Sequence, residues 1–122
     1  MLDYEQVKHV LSMIQDPVEK LEMVMEFGKN LPSIPENAGC TEIVGCVSRV
    51  QICITPDNHF YGMADSALVR GIVAIILSMV DGKSAQEIKN MPLDSMFSEL
   101  NINLGASRLN GVNSMISFLK NL

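Results

Sequence analysis

Cys40, Cys46 and Cys53 are the three cysteines of the chain, and they fall within 14 residues. A thiolate is both a nucleophile and a metal ligand, so each calls for a chemical reading. Cys46 stands out. It lies in Ile43-Val44-Gly45-Cys46-Val47-Ser48-Arg49-Val50, just ahead of a predicted strand. Gly45 can take backbone angles that other residues avoid, and so can aim the next side chain out of a tight loop. The Ser48 hydroxyl and the Arg49 guanidinium are near enough in sequence to stabilise a thiolate, and neighbouring cations lower a cysteine pKa. The residues alone equally allow Cys46 to be a small buried hydrophobe, as free cysteines often are.

Other chemistries find less support. The spacing Cys40-x5-Cys46-x6-Cys53 is not the tight pair of a zinc ribbon, and Cys53 falls inside a predicted strand. His59 is the nearest candidate for a fourth ligand or for a general base, but it sits beside a turn, where histidines are mostly solvated. No metal site is expected. The chain has no Walker motif, no GxGxxG and no HExxH. Two further segments gather charge at helix starts: Met63 to Gly71, with Asp65 and Arg70, and Ser107 to Gly111, with Arg108. Asp65 reads as a helix cap, and Arg70 as one half of a surface ion pair. Arg108, in the first turn of a helix, opposes the macrodipole, which suggests a purpose other than helix stability.

The elements that must position these residues follow from apolar periodicity. Tyr4, Val7, Val10, Leu11 and Ile14 predict a helix over 4–14. Asp16-Pro17 with Glu19 predicts the start of a second, whose buried face is Val18, Leu21, Val24, Met25 and Phe27. Residues 31–40, with Pro32, Pro35 and Gly39, read as irregular loop. A strand is expected from about Ser48 to Ile54, a turn at Thr55-Pro56-Asp57-Asn58, and a returning strand over 59–63 anchored by Phe60. Asp65 or Ser66 caps a helix over 67–80 that is apolar almost all round and therefore central. Ser84 and Glu87 form a capping-box signature, Met91-Pro92 breaks that short helix, and 96–100 is another helical piece. Gly105-Ala106-Ser107 opens the last helix, with Leu109, Val112, Met115, Ile116 and Leu119 as its apolar stripe. The order is helices, a small antiparallel sheet, then helices: an α+β fold in one domain spanning 1–122.

Composition narrows the classes. A chain of 122 residues with 48% hydrophobic and 19% charged residues can bury a core without a disulfide or a metal. The net charge of -5 disfavours nucleic acid and anionic membranes as partners. The longest apolar run, 71–77, is far short of the roughly 20 residues of a membrane span. Asp3, Tyr4 and Glu5 do not suit a signal peptide, so a cytoplasmic location is expected. There, cysteines are expected as thiols and not as bridges.

Three segments, in order, resemble the SufE family of cysteine-desulfurase sulfur acceptors. Gly45-Cys46-Val47-Ser48-Arg49-Val50 is similar to the family's G-C-x-S-x-V. Ala64-Asp65-Ser66-Ala67-Leu68-Val69-Arg70-Gly71 is similar to A-D-S-D-A-x-I-V-K-G, and Leu104 to Gly111 to L-S-P-S-R-S-x-G. Val47, Gln51, Ala67, Asn103 and Ala106 depart from the usual glutamine, tryptophan, aspartate, histidine and proline. The resemblance implies a sheet of about three antiparallel strands packed against helices, the SufE/IscU-like arrangement. It implies that Cys46 takes a persulfide sulfur from a pyridoxal-phosphate cysteine desulfurase, stimulating that enzyme, and passes it to an iron–sulfur assembly scaffold. Gly45, Ser48, Arg49, Asp65, Arg70 and Arg108 are then expected at the partner interface or in support of the loop. The chain itself is expected to bind no cofactor and to be a monomer or weak homodimer. An iron–sulfur scaffold ligated by Cys40, Cys46 and Cys53 is the alternative, and an inert adaptor with a packed Cys46 is a third.

Overall fold

A computed structural model describes residues 2–122. Its elements run α1 (Tyr4–Ser12), α2 (Pro17–Gly28), β1 (Gly39–Glu42), β2 (Val50–Ile54), β3 (Phe60–Ala64), α3 (Ala67–Val80), α4 (Ala85–Lys89), α5 (Leu93–Ser98) and α6 (Ala106–Lys120). The strands form one antiparallel sheet in the order β1-β2-β3. This is the α+β arrangement expected, three strands against helices.

The centre is α3. Ten of its residues are buried, including Ile72, Val73, Ile75, Ile76, Leu77 and Val80. Beyond Arg70 almost no face is left for solvent, so the helix must be covered nearly all round. Strand β3 and helix α2 cover most of it, and α1 and α6 close the rest. The approach of α2 is set by two glycines. A Cβ on Gly71 would stand 2.0 Å from the Val24 carbonyl oxygen, and one on Gly28 would stand 2.7 Å from the Gly71 backbone nitrogen. The two backbones touch, and no side chain fits between them.

Helix starts follow local chemistry. Asp16 caps α2 by accepting from the Val18 N–H at 3.3 Å. Ser84 and Glu87 make the full capping box of α4. At α3 the cap is Ser66, whose Oγ accepts from the Val69 N–H at 3.3 Å. Asp65 is therefore not the cap, and its side chain is exposed. The reason is register. Ser66 is the residue with extended angles immediately before the first helical turn, and only that position can reach back to the orphan N–H groups.

Several expectations need correction. Residues 39–42 form a strand, of which 39–40 fall in the expected irregular loop and 41–42 in a stretch given no element. All four of its residues are exposed, so no apolar alternation marks it. Val18 and Leu109 stand on solvent-facing sides of α2 and α6 and are not part of their buried stripes. The fifth helix starts at Leu93, directly after Pro92, and not at 96.

The largest correction concerns sulfur. Cys40 and Cys53 are joined by a disulfide, although free thiols are expected on grounds of compartment. The bridge follows from strand register. Cys40 lies directly opposite Cys53 in the β1–β2 ladder, and facing cross-strand side chains have Cβ atoms only about 5 Å apart.

The glycine contact yields a prediction. Gly71→Ala forces α2 away from α3 and should cost about 3 kcal/mol, as overpacking at a backbone contact does. Ser66→Ala should cost about 1 kcal/mol and Asp65→Ala nearly nothing. Urea unfolding of the three variants measures all of these. An unaltered midpoint for Gly71→Ala would show that α2 is not pinned there.

Candidate functional site

Cys46 is the one free cysteine among the described residues. It sits at the tip of the β1–β2 connection, residues 43–49. Two features set the base of this loop. Ile43 is buried in the core, and its N–H donates to the Val50 carbonyl at 2.9 Å. The Arg49 guanidinium meets the Glu42 carboxylate at 3.1 Å across the loop, with both side chains about half exposed. Such a pair contributes little to stability.

Above that base the loop folds onto α6. Gly45 has φ +97, in the left-handed region, and its Cα lies so near the helix that a Cβ would stand 2.5 Å from Ser114 Oγ. This turn brings Cys46 against Gly111. A Cβ on Gly111 would be 3.4 Å from Cys46 Sγ, and the thiol points at the Gly111 carbonyl oxygen 3.7 Å away. The seat is completed by Val69 and Ile72 of α3, by Met115 and Arg108 of α6, and by Val47. The space left beside the sulfur is about 10 Å³, close to the minimum for one water. Cys46 is half-buried, and burial pushes its thiol pKa up from the ordinary value. In this resting position the group is a neutral thiol held by apolar contacts and one weak sulfur–carbonyl hydrogen bond.

The other expected residues divide into two sets. Gly45 and Arg108 are at the seat. Arg49 is not: its charge is turned to Glu42, and no cation contributes to the Cys46 pKa. It does not stabilise a thiolate here. Ser48 Oγ is buried without a hydrogen-bond partner among the described residues, an orphan donor beside the loop. Asp65 touches the loop only through its backbone, its N–H donating to the Arg49 carbonyl at 3.2 Å. Arg70 is not in a surface ion pair. Its Nε and Nη2 both donate to the Ala64 carbonyl, at 3.4 and 3.3 Å, tying α3 to the end of β3.

His59 stands at the far end of the hairpin from Cys46, the length of β2 away, between Asp57 and Asp81. It cannot serve as a base for that thiol. The three-cysteine cage of the scaffold alternative does not form either, because two of the three sulfurs are spent in the disulfide. No cluster of three metal-ligating side chains exists among the described residues. No helix among them is long and apolar enough to cross a membrane. Sequence reasoning missed Gly111 and Ser114 as loop contacts. Their only signal was a small residue at helical spacing facing the loop, which nothing but the fold could reveal.

The comparisons with known proteins give the family. Residues 5–122 match the SufE family, described as an Fe-S metabolism associated domain. The chain belongs to the SufE family. A SufE-like protein of Rhizobium meliloti is 31% identical, over 98% of this chain and 94% of its own length. The sulfur acceptor protein CsdE of Escherichia coli is 35% identical, over 80% of this chain and 71% of its own. The solution structure of a hypothetical protein from Thermus thermophilus superposes with a TM-score of 0.68 at 13% identity, covering 99% of this chain and 94% of that one. That likeness is one of fold.

The seat makes a testable statement about access. Gly111→Leu puts branched carbons where Cys46 Sγ rests, so the loop should undock and iodoacetamide should modify Cys46 several-fold faster than in the parent. The sign of the pH effect follows from the raised pKa. The seated thiol holds its proton longer than a solvated one, so seating is fully favoured below about pH 8.5, the pKa of a free cysteine, and is lost as pH rises above it. Loop protection read by hydrogen exchange should therefore fall as pH rises above about 8.5 in the parent and stay flat in Cys46→Ser.

Proposed function

We propose that this SufE-family chain is a sulfur acceptor for a pyridoxal-phosphate cysteine desulfurase, with Cys46 as the accepting group. The observation that carries the reading is the seating of Cys46. Its thiol is kept neutral and half-covered against α6, on a loop held by weak contacts. A sulfur carrier needs both properties. A persulfide exposed to other thiols is lost by exchange, yet the carrier sulfur must reach a donor. The relationship to CsdE, itself named a sulfur acceptor, points the same way.

The step is a thiolate exchange. On docking, the loop leaves its seat, Cys46 regains solvent or partner polar contacts, and its proton is lost. The Cys46 thiolate attacks the outer sulfur of the donor persulfide. A bond forms between Cys46 Sγ and that sulfur, the bond to the donor cysteine breaks, and the donor leaves as a thiolate. No oxidant or reductant is consumed. Cys46 then carries a persulfide to an acceptor in cytoplasmic iron–sulfur cluster assembly. Pyridoxal phosphate stays on the desulfurase, and the chain supplies only its cysteine and its docking face.

Arg108 is the residue best placed to meet the partner. It is exposed, lies at the rim of the Cys46 seat, and makes no ion pair among the described residues. A rim charge sets association rate and salt dependence more than fold stability. Gly45 shapes the loop, and the orphan Ser48 hydroxyl is free to donate to a sulfur anion once the loop moves. Arg49, Asp65 and Arg70 support the loop and the strand ends behind it.

Incubation with a cysteine desulfurase and cysteine, followed by intact-mass measurement, tests the assignment. The parent should gain one sulfur atom per chain, and Cys46→Ser should gain none while retaining its melting temperature. Arg108→Ala should gain sulfur more slowly, with a weaker dependence on ionic strength and an unaltered melt. Sulfur uptake by Cys46→Ser would overturn the reading.

A further inference from the structure

The Cys40–Cys53 disulfide takes no part in the sulfur transfer just described, yet it closes the chain segment that holds Cys46. We infer that it is a thiol–disulfide exchange site for a dithiol reductant, and that reducing it frees the β1 arm which restrains the Cys46 loop. The two sulfurs differ in access. Cys53 is fully buried in β2, whereas Cys40 is exposed on β1. Exchange requires a thiolate to reach a sulfur along the S–S axis, and Cys40 offers that approach. Exposed disulfides are the labile ones, and in a reducing compartment they are transient or redox-sensing.

The arm has little else to hold it. Strand β1 is four residues long, every one exposed, and it pairs with β2 alone at the sheet edge. The chain before it, 31–38, carries two prolines and no regular element. Without the bridge, the arm is fixed only by its short ladder, by Ile43, and by the exposed Arg49–Glu42 pair. The disulfide cannot act on Cys46 by touching it. Cys53 lies three residues along β2 from Val50, about 10 Å from the end of the loop. Its influence passes through the arm, as a limit on how far residues 43–49 can leave α6.

The redox step balances. One thiolate of the reductant attacks Cys40 Sγ, the bond to Cys53 breaks, and Cys53 leaves as a thiolate and takes up a proton. A mixed disulfide joins Cys40 to the reductant. The reductant's second thiol then attacks its own partner sulfur, releasing Cys40 as a thiol and leaving the reductant oxidised. Two electrons have moved to the Cys40–Cys53 pair.

The effect on Cys46 access stands apart from sulfur acceptance; only its consequence for sulfur uptake rests on the proposed function. Three forms of the chain test it: air-oxidised, reduced with dithiothreitol and desalted anaerobically, and C40S/C53S. Iodoacetamide labelling in denaturant followed by peptide mass mapping should find one modified cysteine in the oxidised form and three in the reduced form. Cys46 should be labelled several-fold faster in the reduced form and in C40S/C53S than in the oxidised form. Amide exchange over 39–49 should rise in parallel, with the helices unaltered by circular dichroism. Should the double variant lose its helices, the reduced parent alone decides the comparison. Three labelled cysteines in the oxidised form would overturn the bridge. Equal Cys46 rates in oxidised and reduced protein would overturn its control of the loop, whatever a desulfurase assay then showed.

Discussion

A helix that is apolar on every side has to be covered on every side, and α3 imposes that demand on the rest of the chain. The sheet covers one side, α2 another, and the remaining strip is left to α1 and α6. The demand is strict enough that α2 comes to backbone contact, with Gly71 against the Val24 carbonyl. It also decides where the thiol can rest. Val69 and Ile72, near the start of α3, would be open to solvent if the sheet and α6 alone flanked them. The Cys46 loop fills that gap, and α3 thereby becomes the floor of the seat. The same burial that makes the fold stable creates the shelter for the reactive group.

The shelter is shallow in energetic terms. A half-buried thiol, one long sulfur–carbonyl contact and a glycine forced to positive φ make a weak latch. A β-branched or larger residue at 45 or 111 would not allow this closeness, since both positions stand in direct contact across the loop–helix gap. On the proposed function a tight latch would also fail, because a carrier loop must open within the lifetime of an encounter. The raised thiol pKa sets the direction of this coupling. Seating favours the proton and exposure favours the thiolate, so the thiolate fraction rises when the loop leaves α6.

What could be read from residues alone was what periodicity and short-range chemistry encode. The central helix, the capping box at Ser84 and the β2–β3 hairpin all carry signals contained within a few positions. The motif around Cys46 singled out, for the same reason, the cysteine that stands as a free thiol. Strand β1 was illegible because its four residues all face solvent and nothing alternates. The disulfide was illegible because it depends on register between β1 and β2, and a strand that is not seen has no register. Argument from compartment then pointed the wrong way. Arg49 was misread because proximity in sequence says nothing about side-chain direction. Glu42, its actual partner, becomes a neighbour only once the hairpin closes. Asp65 and Ser66 differ by one position, and the cap is decided by which of them holds extended angles at the turn.

The outer surface of the loop completes the physical account. While Cys46 points inward, Val44 and Val47 beside it stand 88% and 73% exposed. Leu109 on α6 is also 44% exposed. Burying a valine side chain is worth about 1.5–3 kcal/mol, so leaving two of them in water is a standing cost of the resting state. A partner surface that covered them would recover that free energy and could apply it to opening the weak latch on Gly111. Binding energy would thus be converted into thiol exposure, and exposure would occur only where a partner is already in place. Arg108, the one charged residue at the rim of the seat, is placed to set the rate and salt dependence of such an encounter.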